Sequence, residues 1–132
     1  MNRNELLQAL DGKLEPWRFK DYAPNGLQVE GSDEIRRIVT GVTASQALID
    51  EAIRLQADTI LVHHGYFWKS EAAPITGIKR KRIATLLQSN INLIAYHLPL
   101  DAHPELGNNA QLGQVLGFVD AAPSQNEPLL WC

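Results

Sequence analysis

The sequence predicts an α/β domain: a mainly parallel sheet flanked by helices, an αβα sandwich. Three observations carry this. Short β-branched apolar runs alternate with amphipathic stretches of helical spacing. One pair of runs is joined by a segment of the length a right-handed crossover needs. The chain has 132 residues and is 45% hydrophobic, enough for one core and too short for two ordinary domains, so 1–132 is read as a single domain.

Residues 4–14 place Leu6, Leu7, Leu10 and Leu14 at helical spacing, and Pro16 stops that helix. The stretch 15–32 is rich in Pro, Gly and Asn and reads as an irregular connection, turning at Pro24-Asn25-Gly26. Residues 35–43 read as a strand, 45–57 as a helix capped by Ser45, and 58–64 as a second strand. A loop over 65–76 leads to a helix over 79–90 with Ile83, Leu86 and Leu87 on one face. A third strand is expected over 91–100 and a helix over 107–117, closed by Gly117. "FVDAA" (118–122) is expected to be an edge strand.

The totals exclude several classes. Net charge is −3, so no basic excess exists to neutralise phosphates, and nucleic acid is an unlikely partner on charge grounds. The single cysteine, Cys132, rules out a disulfide framework and a Cys-based zinc knuckle. The N-terminal stretch has no apolar run suited to a signal peptide, and no run is long enough to span a membrane, so the expected location is cytoplasmic.

Ligands in parallel α/β sheets bind beyond the carboxyl ends of the strands. The strand over 58–64 ends in His63-His64. The strand over 91–100 carries His97 near its end, followed by Asp101, His103 and Glu105. Side by side, these ends gather all four histidines with two carboxylates. Imidazole and carboxylate without thiolate suit Zn²⁺, Mn²⁺, Fe²⁺ or Ni²⁺. Adjacent strand residues face opposite sides, so His63 and His64 are expected to hold two divalent ions, one each, with Asp101 bridging. Two ions ~3.5–4 Å apart polarise a substrate oxygen and generate hydroxide at neutral pH. His97 is expected outside the ligands, orienting Asp101 or a water. His103 and Glu105 are expected to support a ligand or to face solvent. The plainer reading of His63-His64 is a strand end that tolerates two half-polar rings.

Other stretches have weaker chemistry. "KRKR" (79–82) could grip a phosphate, but such a run is more commonly a solvated helix face. Trp68, beside Tyr66 and Phe67, could line a pocket next to the histidines or pack as a lid on a neighbouring subunit. Thr43 and Ser45 open a helix, where an anion could sit, although a helix cap is the commoner role. The sequence has no GxSxG, Walker or GxGxxG motif.

"DYAPNGLQVEG" (21–31), "IVTGVTASQALIDEA" (38–52), "VHHGYFWK" (62–69) and "HLPLDAHPELGNNAQL" (97–112) together resemble the bacterial branch of the NIF-three-like family (NGG-one-interacting factor three). The likeness runs over about residues 1–118. It implies a dinuclear metal site in an α/β fold, a hexameric ring built as a trimer of dimers, and the label type 2 GTP cyclohydrolase I-like. By resemblance the family's adjacent histidine pair falls on His63 and His64, and the aspartate of its HxxxD pattern on Asp101. Family members carry a second half that supplies a further histidine and a glutamate. That half is expected to be absent from these residues, and the closing "EPLLWC" resembles a piece of it.

The expected function is a dinuclear metal-dependent hydrolase domain acting on a small, nucleotide-like substrate, with His97 handling the proton. The partners are then the substrate and further copies of the chain in a homo-oligomer. Two alternatives stand beside it: a non-catalytic, metal-binding, ring-forming assembly module, and an inactive truncated family member.

Overall fold

The computed structural model describes residues 1–119, 122 and 124. The chain runs α1 (Arg3–Leu14), a 3-10 turn (Pro16–Arg18), β1 (Gly26–Val29), β2 (Ile38–Thr43), α2 (Gln46–Arg54), β3 (Thr59–His64), α3 (Gly77–Gln88), β4 (Asn92–Ala95), α4 (Leu98–Asp101) and α5 (Asn108–Leu116). The four strands form one mixed sheet in the order β1-β4-β3-β2. β2, β3 and β4 are parallel, and β1 joins the β4 edge antiparallel.

Two helical layers enclose the sheet. Alternation along the strands deals residues to each face. Ile60 and Val62 of β3, with Leu93 and Ala95 of β4, meet Ile49 and Ala52 of α2 and Ile83 and Leu86 of α3. Leu61, Ile94 and Tyr96 point the other way, against Leu6, Leu10 and Leu14 of α1. Ile49, Ile60, Leu86, Leu93 and Ile94 have no exposed surface at all. Burying each contributes about 1.5–3 kcal/mol relative to exposure.

The helix starts follow local chemistry. Asn2 caps α1 in a reciprocal box with Glu5, and Ser45 Oγ accepts from the Leu48 amide at the start of α2. Ser45 is therefore a helix cap. Gly117, at φ +73°, closes α5 as its sequence position predicts.

Two expectations are corrected. The connection over 15–32 contains a strand, β1, whose register sets Gly26 opposite Ala95. Its four residues sit among Pro, Gly and Asn, and its partner lies far along the chain, so no local pattern marks it. The strand expected over 91–100 stops at Ala95. Leu98–Asp101 instead turns into α4, with Pro99 in its first turn, where a missing amide costs nothing. The edge strand expected over 118–122 lies partly outside the described residues, and Phe118 and Val119 are in no strand.

No helix among the described residues is long and apolar enough to cross a membrane. Leu112, Val115, Leu116, Phe118 and Val119 leave apolar surface exposed along and just beyond α5.

Asn92 is the buried polar tie of the sheet. It is fully buried on β4, accepts from the Gly31 amide (2.8 Å) and donates to the carbonyls of Ser32 (2.8 Å) and Asp58 (3.2 Å). Asn92→Ala removes the side-chain partner of the Gly31 amide and the Ser32 carbonyl, while the Asp58 carbonyl keeps the Asn92 amide, and is expected to lower stability by roughly 2–3 kcal/mol. Urea unfolding monitored by circular dichroism measures this, and an unchanged midpoint would contradict the role.

Candidate metal centre

β3 runs two residues further than β4. Its pairing with β4 ends at Val62 and Ala95, whereas its pairing with β2 continues to Thr43 and His64. Past Val62 the strand thus has a neighbour on one side only. Alternation separates the Cβ atoms of His63 and His64, but over this open end their rings meet, with centroids 4.4 Å apart. His97, at the start of α4, completes the group: its ring lies 5.0 Å from His63 and 5.5 Å from His64. One ring nitrogen from each of the three lies within 4.8 Å of the others. Strand alternation predicts separate ions for His63 and His64, with His97 outside. The geometry instead converges all three on one space.

The donor chemistry fits a divalent ion. Three nitrogens bound at about 2.1 Å to one tetrahedral ion stand about 3.4 Å apart, so ring nitrogens separated by up to 4.8 Å close by about an ångström to share it. Two tautomers are set by acceptors. His63 Nδ1 lies 3.0 Å from the Tyr96 carbonyl, and His97 Nδ1 lies 2.7 Å from Asp21 Oδ1. A carbonyl and a carboxylate only accept, so each Nδ1 carries a proton, and in a neutral ring the lone pair is then on Nε2. Burial, then the neighbouring His63 and His97, push His64 below the ordinary imidazole range, against an opposing pull from Asp101. A neutral ring is what a metal requires.

Asp101 flanks the group. Its Oδ1 is 3.4 Å from His63 Nε2 and its Oδ2 is 3.9 Å from His97 Nε2. Asn108 Nδ2 donates to Oδ1 and steadies it. Trp68 stands beside the group, edge-on to His97 with centroids 4.9 Å apart and 5.9 Å from His64. An apolar groove of about 420 Å³, with Leu10, Leu14, Val42, Leu61 and Leu100 among its walls, reaches His63.

Two loops hold this arrangement; the residues mark the second only through Trp68 and the first only as a turn. Asp21 is buried. Its Oδ1 accepts from His97 and from the Tyr22 amide, and its Oδ2 from Asn25 and the Leu98 amide. Burial alone would raise its carboxyl, but these bonds prevail and hold it below the usual carboxylate range. Asn25 Oδ1 accepts from the His97 amide. The second loop follows the histidines. Phe67 adopts φ +64°, rare for a bulky residue, and is held by Glu71 Oε2 on its amide. Lys69 joins the loops by donating from its amide to Tyr22 and from Nζ to the Asp21 carbonyl. Asp21 and Asn25 belong to the "DYAPNG" stretch, but no spacing rule links them to His97.

The remaining candidates fall elsewhere. His103 is buried, contrary to the solvent-facing option, and its Nδ1 accepts from the amides of Glu105 and Leu106 in a local turn. Glu105 faces solvent and pairs with Lys13 at 3.4 Å. Lys79 of the basic run pairs with Glu71 and stacks over Phe67. Thr43 is the β2 partner of His64. Tyr66 donates to the Ala44 carbonyl, and burial pushes its phenol up to about 12.

Comparison with known proteins agrees with this architecture. Residues 1–129 match the family model Duf34/NIF3 (NGG1p interacting factor 3). A Salmonella typhimurium protein named GTP cyclohydrolase 1 type 2 homolog is 59% identical over 130 residues, covering 98% of this chain and 52% of that protein. The solved structure titled protein ybgI, unknown function, is 59% identical with a TM-score of 0.89, over 94% of this chain and 50% of that one. TTHA1606 from Thermus thermophilus is 44% identical with a TM-score of 0.88, over 95% of this chain and 52% of that one. The chain spans about half the length of the curated relatives it matches.

Gly65 joins the histidines to the aromatic loop at a place with no room for a side chain. A Cβ there would stand 2.1 Å from Gln28 Oε1, itself the acceptor for the Tyr66 amide, and 2.8 Å from Ala95 Cβ. Gly65→Ala is expected to cost about 1–3 kcal/mol through overpacking and to displace Trp68. Thermal unfolding and the near-ultraviolet dichroism of the aromatic residues test this. A variant indistinguishable from wild type in both would refute the close-packing argument.

Proposed function

The chain belongs to the Duf34/NIF3 family, and from that premise and the imidazole cluster we propose a divalent-metal-dependent hydrolase domain acting on a small, nucleotide-like substrate. The convergence of His63, His64 and His97 within 4.8 Å is the observation that carries the reading. In it the three imidazoles hold one ion, and Asp101 extends the site toward a second. His97 is then a ligand rather than the proton-handling neighbour that its sequence position suggests.

A divalent ion supplies Lewis acidity toward a substrate oxygen. The protein's own groups do the rest. His63 and His97 present Nε2 lone pairs because their Nδ1 protons are already engaged. Asp101, within 3.4 and 3.9 Å of those nitrogens, is the carboxylate that would add an oxygen to the imidazole ligand set. Trp68 stands beside His97. The apolar groove of about 420 Å³ beside His63 has the size of a small-molecule pocket and suits a flat ring. The GTP cyclohydrolase name borne by relatives supports a nucleotide-like class.

A second reading, a metal-binding assembly module that does not turn over substrate, draws support from the exposed apolar residues along α5. It predicts self-association without activity at any metal loading.

Elemental mass spectrometry on protein purified without chelator tests the first reading. Wild type is expected to retain divalent metal, and His64→Ala and Asp101→Ala to lose most of it. Hydrolysis of a nucleoside triphosphate panel is expected to rise with occupancy. A wild-type chain that takes up no metal after loading would defeat the proposal. Full occupancy with no turnover, together with oligomers in sedimentation, would favour the assembly module.

A further inference from the structure

β2 ends the strand order β1-β4-β3-β2, so only its inner edge is paired. On that side the Arg37 carbonyl accepts from the Thr59 amide, and alternation then turns the amides and carbonyls of Ile38 and Thr40 away from β3. Among the described residues these groups have no hydrogen-bond partner. Natural sheet edges are guarded by charge, proline, brevity or irregular register. β1, at the far edge, is four residues long and its register shifts between Leu27 and Val29. β2 runs for six residues, Ile38–Thr43, and has neither a charge nor a proline among them. Ile38, Thr40 and Val42 share the sheet face of Leu61, the face that α1 covers only in part. There Ile38 is 39% and Val42 68% exposed. The open edge thus adjoins the apolar groove, whose walls include Thr40, Val42 and Leu61.

We infer that β2 is an interface whose occupant is β2 of a second copy, paired antiparallel about a two-fold axis at Thr40, so that two sheets join into one. The strand's own residues select this partner. Laid antiparallel on itself about Thr40, "IVTGVT" sets Ile38 opposite Val42 and Thr40 opposite Thr40. Each exposed aliphatic side chain then covers the other, and the threonine amides and carbonyls exchange bonds across the axis. Arg36 and Arg37, just ahead of the strand, fall opposite Ala44 and Thr43, so no like charges meet. A two-fold contact uses the same edge on both copies and leaves none open for a third. It also extends the groove: the partner's Ile38 stands beside Val42, at the groove's outer wall. A ladder of six residues is small beside the roughly 1,200–2,000 Å² of stable complexes, so the pair is expected to exchange with monomer. The inference stands on the sheet alone and holds whatever the imidazole cluster binds.

Sedimentation velocity of the full chain over a concentration series tests this. Wild type is expected to pass from monomer toward dimer between about 1 and 300 μM. Val42→Lys puts a charge on the open edge at an exposed position. It is expected to weaken dimerisation at least about 10-fold while leaving the far-ultraviolet circular dichroism unchanged. Thr40→Cys in a Cys132→Ser background tests the register. Opposed residues of a hydrogen-bonded antiparallel pair stand about 5.5 Å apart at Cα, within disulfide reach, so mild oxidation is expected to yield a covalent dimer. Thr43→Cys in the same background sets its two Cα atoms about 20 Å apart in this register and is expected to stay monomeric under oxidation. A wild-type chain that remains monomeric throughout the series would overturn the proposal. So would a dimer undiminished in Val42→Lys, or cross-linking at Thr43→Cys in place of Thr40→Cys, since either puts the contact away from a β2 pair centred on Thr40.

Discussion

The early end of β4 is the constraint on which the site depends. β4 leaves the sheet after Ala95, while its parallel neighbour β3 runs on to His64. The residue at the departure, Tyr96, is 1% exposed and anchored at three points. Its amide donates to the Val62 carbonyl, its carbonyl faces His63 Nδ1, and its phenol donates to Asp11 on α1. Had β4 continued, sheet pairing would occupy the space beside His63, and His97 would lie along a strand. Because it stops, the last turn of β3 is open on one side, and α4 brings His97 and Asp101 back across the opening.

The position of that opening is then made rigid by loops rather than by the sheet. The 21–25 segment grips His97 and Leu98 through Asp21 and Asn25. The 65–71 segment turns Trp68 over His64 and His97, with Phe67 in a left-handed conformation and Lys69 tied to the first loop. These contacts replace the solvent that would otherwise satisfy the imidazoles and backbone groups. They hold the ring nitrogens in place, which on the proposed metal reading lowers the ordering entropy that binding has to overcome.

The two faces of the sheet divide the work. α2 and α3 seal one face with fully buried aliphatic residues. α1 covers the opposite face only in part, and the apolar groove beside His63 lies between it and the ends of β2 and β3. The same β-α-β unit that builds the closed face therefore delivers the histidine pair to the edge of the open one.

By itself the sequence determined the α/β class, most of the elements and four of the residues gathered at the site. Helical spacing located α1, α2 and α5, Gly117 marked the end of α5, and β-branched runs located β2 and β3. His63-His64 and the His97…Asp101 pattern were legible because ligands collect at strand ends and because imidazole and carboxylate are ligand chemistry wherever they cluster. Tertiary structure decided the rest. β1 exists because Gly26–Val29 finds β4 as a partner, a choice that depends on residues far along the chain. Leu98–Asp101 is helical, and its first amide is held by Asp21 from a distant loop. The two histidines face one space because the strand end lacks a neighbour, a fact of sheet register and not of alternation. Asp21 itself carries no local mark. A lone aspartate before a tyrosine in a Pro-rich connection becomes meaningful only when folding sets it 2.7 Å from His97 Nδ1, because a hydrogen bond is decided by distance in space and the sequence records only distance along the chain.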